Sequence, residues 1–528
     1  MSSTLIPQSP SLWARTLLCT WFLVGVCCLV GMPAALAQEA SVLAMAERID
    51  EHLRGTWEQD GVVPAEPASD AEFCRRVWLD LAGVAPPVSV LRTFLSDTAP
   101  DKHDRLIASL LASPQYAAHM AERWNRVLVP ADQADMPVDT RSLKAWLRKQ
   151  FQRNLSYDNL VAEFLVAGGP ADSGPAVFYT SHDLEPKKLA AATARIFLGI
   201  QLQCAECHDH PFDRWKQTDF WSYAAFFSQL KQRQAGRGQW IEDLPGGEVR
   251  LPESQLVSVP MYPGVPEPPE PDVADYRRRQ LTIWLASRDN PYLARAAVNR
   301  VWEHLFGRGL VHPVDAMDAD NPASHPKLLQ ELSDYFVEQR FDLRKLYQTL
   351  ASTKAYRMSS AYSAGERPAM DTFAVMNVKT LSPQQYYDSL MQNVLRVPPP
   401  WDDANSANSP EQAMRQAFLN RMGSGGAAPV DYPHGVLQAL GTMNGPELQR
   451  ASLQPQNGLL AVLDAPFYSD VDRIETLYLA TVSRLPTKAE QQRCSKFLAD
   501  IDSPAETAAV RGDLLWALLC STECAVCP

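Results

Sequence analysis

Residues 204–213 read C-A-E-C-H-D-H-P-F-D. Two thiols three positions apart, followed at once by an imidazole, are what covalent c-type haem requires. Cys204 and Cys207 would take thioether bonds from the two vinyl groups, and His208 would ligate the iron as axial ligand. Other chemistry is open to the same residues. Cys204 and Cys207 can form a structural disulfide in an oxidising compartment or act as a redox dithiol, or they can join His208 and His210 around zinc. The zinc set is poor, because imidazoles one residue apart rarely reach one ion from a helix. A haem iron also needs a sixth ligand; Met261, Met317, His182 and His304 offer suitable atoms, and spacing singles out none of them.

A second group gathers after the turn Phe306 to Leu310: His312, Asp315, Asp318, Asp320 and His325. Oxygen and imidazole donors at this spacing on irregular backbone suit a divalent metal, and with it a metal-dependent hydrolase. The competing expectation is structural, since Asp and His beside Pro and Asn are ordinary turn and cap residues. Just upstream, Asn299, Arg300, Trp302 and Glu303 suit either catalysis or an Arg–Asp network bracing helices. No Ser-His-Asp order, nucleotide-binding glycine loop or H-E-x-x-H occurs, so a hydrolase would lack a recognisable nucleophile.

The elements that must position these residues are helical. In RSLKAWLRKQFQ, Leu143, Trp146, Leu147 and Phe151 fall at i, i+3, i+4 and i+8 and share one face. Leu328, Leu329, Leu332, Tyr335 and Phe336 repeat the pattern after His325-Pro326, with proline suited to a first helical turn. Thr487 to Glu490 and Ser503 to Glu506 spell capping boxes. KKLAAATARIFLGIQLQ predicts a helix carrying Cys204 and Cys207 near its end, on one face. Long alternating runs are scarce, so the chain is expected to be mainly α: two helical domains joined by a Pro-rich connector with short β pieces. The expected domains are 38–235 and 274–528, with the connector at 236–273, where prolines crowd MYPGVPEPPEPDV. A second irregular stretch, 397–432, predicts a long surface loop.

Arg15, an uncharged run and the triplet Ala35-Leu36-Ala37 predict a signal peptide over 1–37, cleaved after Ala37, and hence an exported, periplasmic or cell-envelope protein. Only an uncleaved segment would tie it to a membrane. The chain has a net charge of −12 and no basic tract, which excludes the electrostatic footprint of a nucleic-acid partner. Of ten cysteines, Cys19, Cys27 and Cys28 leave with the signal. The remaining seven are an odd number, so they are not a simple disulfide framework. Cys520, Cys524 and Cys527 lie at the terminus, where a disulfide plus one free thiol is expected over an iron–sulfur site.

Three long strings carry a resemblance: FLGIQLQCAECHDHPFDRWKQTDFWSYAAFF; CRRVWLDLAGVAPPVSVLRTFL followed by DKHDRLIASLLASPQYAAHMAERW; and NPYLARAAVNRVWEHLFGRGLVHPVDAMDADNPASHPKLLQEL. With LSPQQYYDSL, ALGTMNGPEL and LYLATVSRLPTKAE, they resemble an exported planctomycete two-domain family of unknown function. In that family an N-terminal cytochrome-type domain with C-x-x-C-H precedes a planctomycete-specific partner domain. The resemblance runs through Arg75, Arg76, Asp80, Gly83, Pro86 and Trp124 and implies architecture and export; the family's activity is not established. The expected function is that of a haem-binding redox or electron-transfer protein with a redox or envelope protein partner. The alternatives are a non-haem envelope binding or scaffold protein linked to polysaccharide handling, with a Cys204–Cys207 disulfide, and the metal-dependent hydrolase.

Overall fold

The apolar spacing in RSLKAWLRKQFQ becomes the helix Arg141–Gln152, which buries Leu143, Leu147 and Phe151. Pro326 opens the helix Pro326–Glu338, and its predicted face is buried throughout. At Thr487 the capping box forms in both directions: the Thr487 amide donates to Glu490 Oε2 at 2.7 Å and the Glu490 amide donates to Thr487 Oγ1 at 3.3 Å. Ser503 accepts from the Glu506 amide and opens the helix Pro504–Leu519. The computed structural model describes residues 34–130, 138–236, 238–252, 254, 256–269, 276–288, 290–397, 409–423, 441, 443–453, 458–499 and 503–528, and the chain is mainly α-helical.

Strands are few and short. Leu230–Ala235 and Gly238–Asp243 form an antiparallel hairpin, and Gly169–Pro170 adds to the free edge of the second strand. Lys379–Thr380 pairs antiparallel with Val526–Cys527 near the end of the chain.

Among the described residues two apolar clusters make up the interior. The larger runs from Met45 through Trp302 and Phe336 to Met376 and Leu479, so both halves of the sequence fill it. The smaller gathers Leu381 to Leu519, Cys524 and Cys527 around Leu79. The helix Asp70–Ala82 serves both, with every residue from Phe73 to Ala82 buried. Its polar side chains are buried because they bind other segments. Arg75 donates to the carbonyls of Thr481, Glu523, Cys524 and Val526 at 2.9–3.3 Å and to the Ser483 hydroxyl. Arg76 donates to the carbonyls of Tyr356, Met358 and Pro528 and to Glu72. A planar guanidinium with five donors satisfies several carbonyls at once, so its hydrogen bonds to water can be exchanged for bonds within the protein.

Three expectations change. The helix before the cysteines, Pro186–Thr193, widens into a π turn at Ala194–Leu198 and stops at Gly199, whose φ of 71° is left-handed. Cys204 therefore lies in a separate 3-10 turn, Leu202–Ala205, and the two thiols do not share a face of one helix. The predicted loop 397–432 contains a helix, Pro410–Met422, because Ser409 caps the Gln412 amide and Pro410 sits at its first position; residues 398–408 and 424–432 lie outside the described ones. At the terminus Cys520, Cys524 and Cys527 are three free thiols rather than a disulfide and one thiol. Cys527 is in the strand beside Asp80, with Sγ 3.9 Å from Oδ1, whereas Cys524 follows the turn under Arg75.

Of the expected signal peptide, positions 1–33 lie outside the described residues, and the backbone is helical over Ala34–Asp60. No described helix is long and apolar enough to cross a membrane.

Candidate functional site

Gly199 sets where the cysteine loop begins. A Cβ there would stand 3.1 Å from Met317 Sδ, and the Met317 amide donates to the Gly199 carbonyl at 2.8 Å. Beyond it the chain turns outward, and Cys204, Cys207 and His208 are all exposed. Neither thiol is in a disulfide. The loop is nevertheless pinned. Gln217 donates its side-chain amide to the carbonyls of Glu206 and Cys207 at 3.3 and 2.8 Å, and the Trp221 indole donates to Glu206 at 3.0 Å. Lys187 reaches the Glu206 carboxylate at 3.2 Å.

The two histidines of the loop differ in role. His210 Nδ1 accepts the amides of Phe212 and Asp213 at 3.2 and 2.8 Å, so this ring is built into the turn. His208 Nδ1 lies 2.7 Å from the Asp209 carbonyl, which selects the tautomer with the proton on Nδ1 and leaves Nε2 as the lone-pair nitrogen. Phe212, with 77% of its surface exposed, is an apolar ring beside this loop.

Of the four expected sixth ligands, two are committed elsewhere. His182 is buried with Nδ1 against the Phe178 carbonyl at 2.8 Å, and burial lowers its pKa. His304 is enclosed between His119, ring to ring at 5.7 Å, and Tyr347, whose hydroxyl is 2.9 Å from Nδ1. Met317 packs on Gly199, and the Met261 backbone amide donates to the Ser222 carbonyl in the helix Gln217–Ala224.

The second predicted group is drawn apart. Asp315 binds Arg195 at 3.1 Å through one oxygen and Arg300 through the other. Asp318 accepts the Asp320 amide at 3.0 Å, an ordinary turn contact. His325 precedes the helix Pro326–Glu338, with Nδ1 3.0 Å from the Ser324 hydroxyl and its ring against Phe373. His312 stands before the cis Pro313. Among the described residues no group of three His, Cys, Asp or Glu is placed to hold a metal ion. The neighbouring block braces helices: Asn299 exchanges two 2.9 Å hydrogen bonds with Val311, and Trp302 stacks on Phe306 at 4.2 Å.

One feature was not legible in the spacing. A cavity of about 840 Å³ opens between the helices Pro114–Leu128 and Arg141–Gln152 on one side and Pro383–Leu390 and Pro410–Met422 on the other. Its charged wall holds Glu122 with Lys144 at 3.4 Å, and Asp388 with Arg415 through two 2.8 Å bonds. Burial pushes the Glu122 carboxyl up, but Lys144, Arg415 and Arg126 outweigh it and hold the group at about 2. His119 also lines the cavity; burial brings its pKa down to about 3, and its buried Nε2 has no hydrogen-bond partner. The only sequence signal was indirect, in that the strings carrying the family resemblance contain His119, Glu122 and Asp388.

Residues 48–232 match the family model of a protein of unknown function, DUF1549, also called PSCyt2. Residues 277–413 match that of a second protein of unknown function, DUF1553, or PSD1. No curated protein and no solved structure matches the chain.

Proposed function

The chain carries these two families in tandem, the organisation of a two-domain planctomycete-type family of unknown function, and from that premise we propose that it is an exported c-type haem protein acting in electron transfer. The observation that carries this reading is the exposed triplet Cys204, Cys207 and His208, with His208 held in the tautomer that presents Nε2. A metal-ligating histidine characteristically donates its other ring N–H to a carbonyl, as His208 does to Asp209.

The donor set fits a covalent haem: two unpaired, exposed thiols to form thioethers and one imidazole to ligate iron. When bound, haem would supply a one-electron couple. The chain's own part is to hold the attachment loop in one shape, through Gln217 and Trp221 on the carbonyls of Glu206 and Cys207. Phe212 offers apolar cover to a flat hydrophobic group. Met317 and Met261, on backbone that supports the loop, are the preferred sixth ligands over the committed His182 and His304.

The test is the visible spectrum of the chain exported in a host with c-type haem maturation. A haem spectrum that survives denaturing electrophoresis and is lost in the Cys204→Ser/Cys207→Ser variant is expected. A colourless protein from that host would overturn the reading and favour a non-haem envelope protein.

A further inference from the structure

The loop that carries the cysteines meets the second sequence domain through one arginine. Arg214 comes shortly after His208, and its backbone is fixed on both sides: the His210 amide donates to the Trp215 carbonyl at 2.8 Å, and the Arg214 amide donates to Asp213 Oδ1 at 2.7 Å. The guanidinium lies over the Trp215 ring, 4.7 Å from its centroid, and donates to the Tyr292 hydroxyl at 3.3 Å. Trp215 is buried and Arg214 is exposed, so the stack holds a positive charge at one place on the surface. Tyr292 takes one of five N–H donors, and a guanidinium fork suits a carboxylate.

Tyr292 brings a second cation to the same place. It stands just before the helix Leu293–Phe306, whose first turn carries the exposed Arg295, and its hydroxyl donates to the Pro263 carbonyl at 3.2 Å. Burial raises the pKa of the Tyr292 phenol, while the charges of Arg214 and Arg295 both act to lower it, so the two guanidiniums stand around one ring. The connector closes tightly on this group at Gly264, where φ is 76°. A Cβ there would stand 2.8 Å from Tyr292 Oη and 3.4 Å from Arg214 Nη2, so only glycine lets the backbone pass so close.

Haem bears its two vinyl groups and its two propionate carboxylates on different edges of the macrocycle, so a ring tied down at Cys204 and Cys207 presents its acids away from the sulfurs. We propose that Arg214 binds a propionate carboxylate of the haem held at Cys204, Cys207 and His208, with Arg295 as the second cation of the site, an inference that rests on the haem reading. Arg214 is thus a positioning residue for the cofactor, steadied by Trp215 and Tyr292. Because Arg214 belongs to one sequence domain and Tyr292 and Arg295 to the other, haem seating couples the two. A positive charge beside the haem also favours the reduced iron, which carries one positive charge fewer.

Redox titration and resonance Raman spectroscopy of the haem-loaded full chain test this. Arg214→Gln should move the propionate bending band and lower the equilibrium constant for reduction by about threefold to tenfold, about 30–60 mV for a one-electron couple. Arg214→Lys keeps the charge and loses the fork, so it should move the band while holding the potential near that of the parent; it also serves as the second variant should Arg214→Gln fail to fold. Arg295→Gln should lower the potential in the same direction. Arg54→Gln, at an exposed position on the helix Ala34–Asp60, should change neither reading. An unmoved band and potential in haem-containing Arg214→Gln, or an equal shift in Arg54→Gln, would overturn the proposal and leave the haem reading standing. A parent chain without haem would overturn both.

Discussion

Lys379 Nζ lies 2.6 and 2.7 Å from the two carboxylate oxygens of Asp80, and both side chains are almost wholly removed from solvent. Lys379 also donates to the carbonyls of His304 and Leu305, and the Tyr356 hydroxyl donates to Asp80 at 2.8 Å. One ion pair thus ties the helix Asp70–Ala82 to the strand Lys379–Thr380 and to the end of the helix Leu293–Phe306.

Removing one partner leaves a buried charge with nothing to balance it. Lys379→Met or Asp80→Asn should each lower the unfolding free energy by about 3–5 kcal/mol, read from urea denaturation. The double variant Asp80→Leu/Lys379→Met should be less damaged than either single one, because no charge remains inside. A single substitution that costs nothing would show the pair to be dispensable.

Burial lowers the pKa of His103, His119, His182, His304 and His325. The sign follows directly: the unfolded chain binds these protons near the ordinary histidine value while the folded chain refuses them. Stability is therefore full above about pH 6.5 and is lost as pH falls below it. Well-buried His304 alone contributes up to about 1.4 kcal/mol per pH unit on that limb. The loss should set in between pH 6.5 and 5, and His304→Gln should flatten it in thermal melts.

Thiol accessibility divides the cysteines. Cys204 and Cys207 are exposed, whereas burial pushes the thiols of Cys74 and Cys527 up to about 12 and that of Cys524 up to about 11. Since the thiolate is the nucleophile, a thiol reagent should label Cys204 and Cys207 quickly in the native apo chain and leave Cys74, Cys524 and Cys527 until it unfolds. Haem attachment should abolish the fast phase. Rapid labelling of Cys527 in the folded state would contradict its burial.

Asp315 neutralises Arg300, which is 8% exposed. Asp315→Ala should cost about 1–3 kcal/mol by leaving that guanidinium short of its partner. Asp318→Ala, which removes a turn contact, should cost about 0.5–1 kcal/mol. Elemental analysis should find the same metal content in both variants and the parent. Loss of a stoichiometric divalent ion on either substitution would restore the metal site.

The helices were legible wherever the signal was local. The faces of Arg141–Gln152 and Pro326–Glu338 and the caps at Thr487 and Ser503 depend on neighbours within a turn or two, and they formed as the spacing predicts. The cysteine loop misled because a Leu- and Ala-rich run reads as one helix through Cys207, whereas Gly199 ends it in a left-handed turn stabilised by the distant Met317. The helix Pro410–Met422 was hidden by the polar, proline-rich residues around it, although Ser409-Pro410 was a legible start.

By itself, then, the sequence determined a mainly helical chain, the C-A-E-C-H spacing and the family resemblance, all carried by residues close together along the chain. Only the tertiary structure decided which polar residues are buried and with whom. Asp80 and Lys379 are 299 positions apart, and the cavity joins Glu122 and Lys144 to Asp388 and Arg415. Such pairings arise because helices pack to bury apolar faces, and the charged groups carried inward with them must find partners wherever the packing brings them.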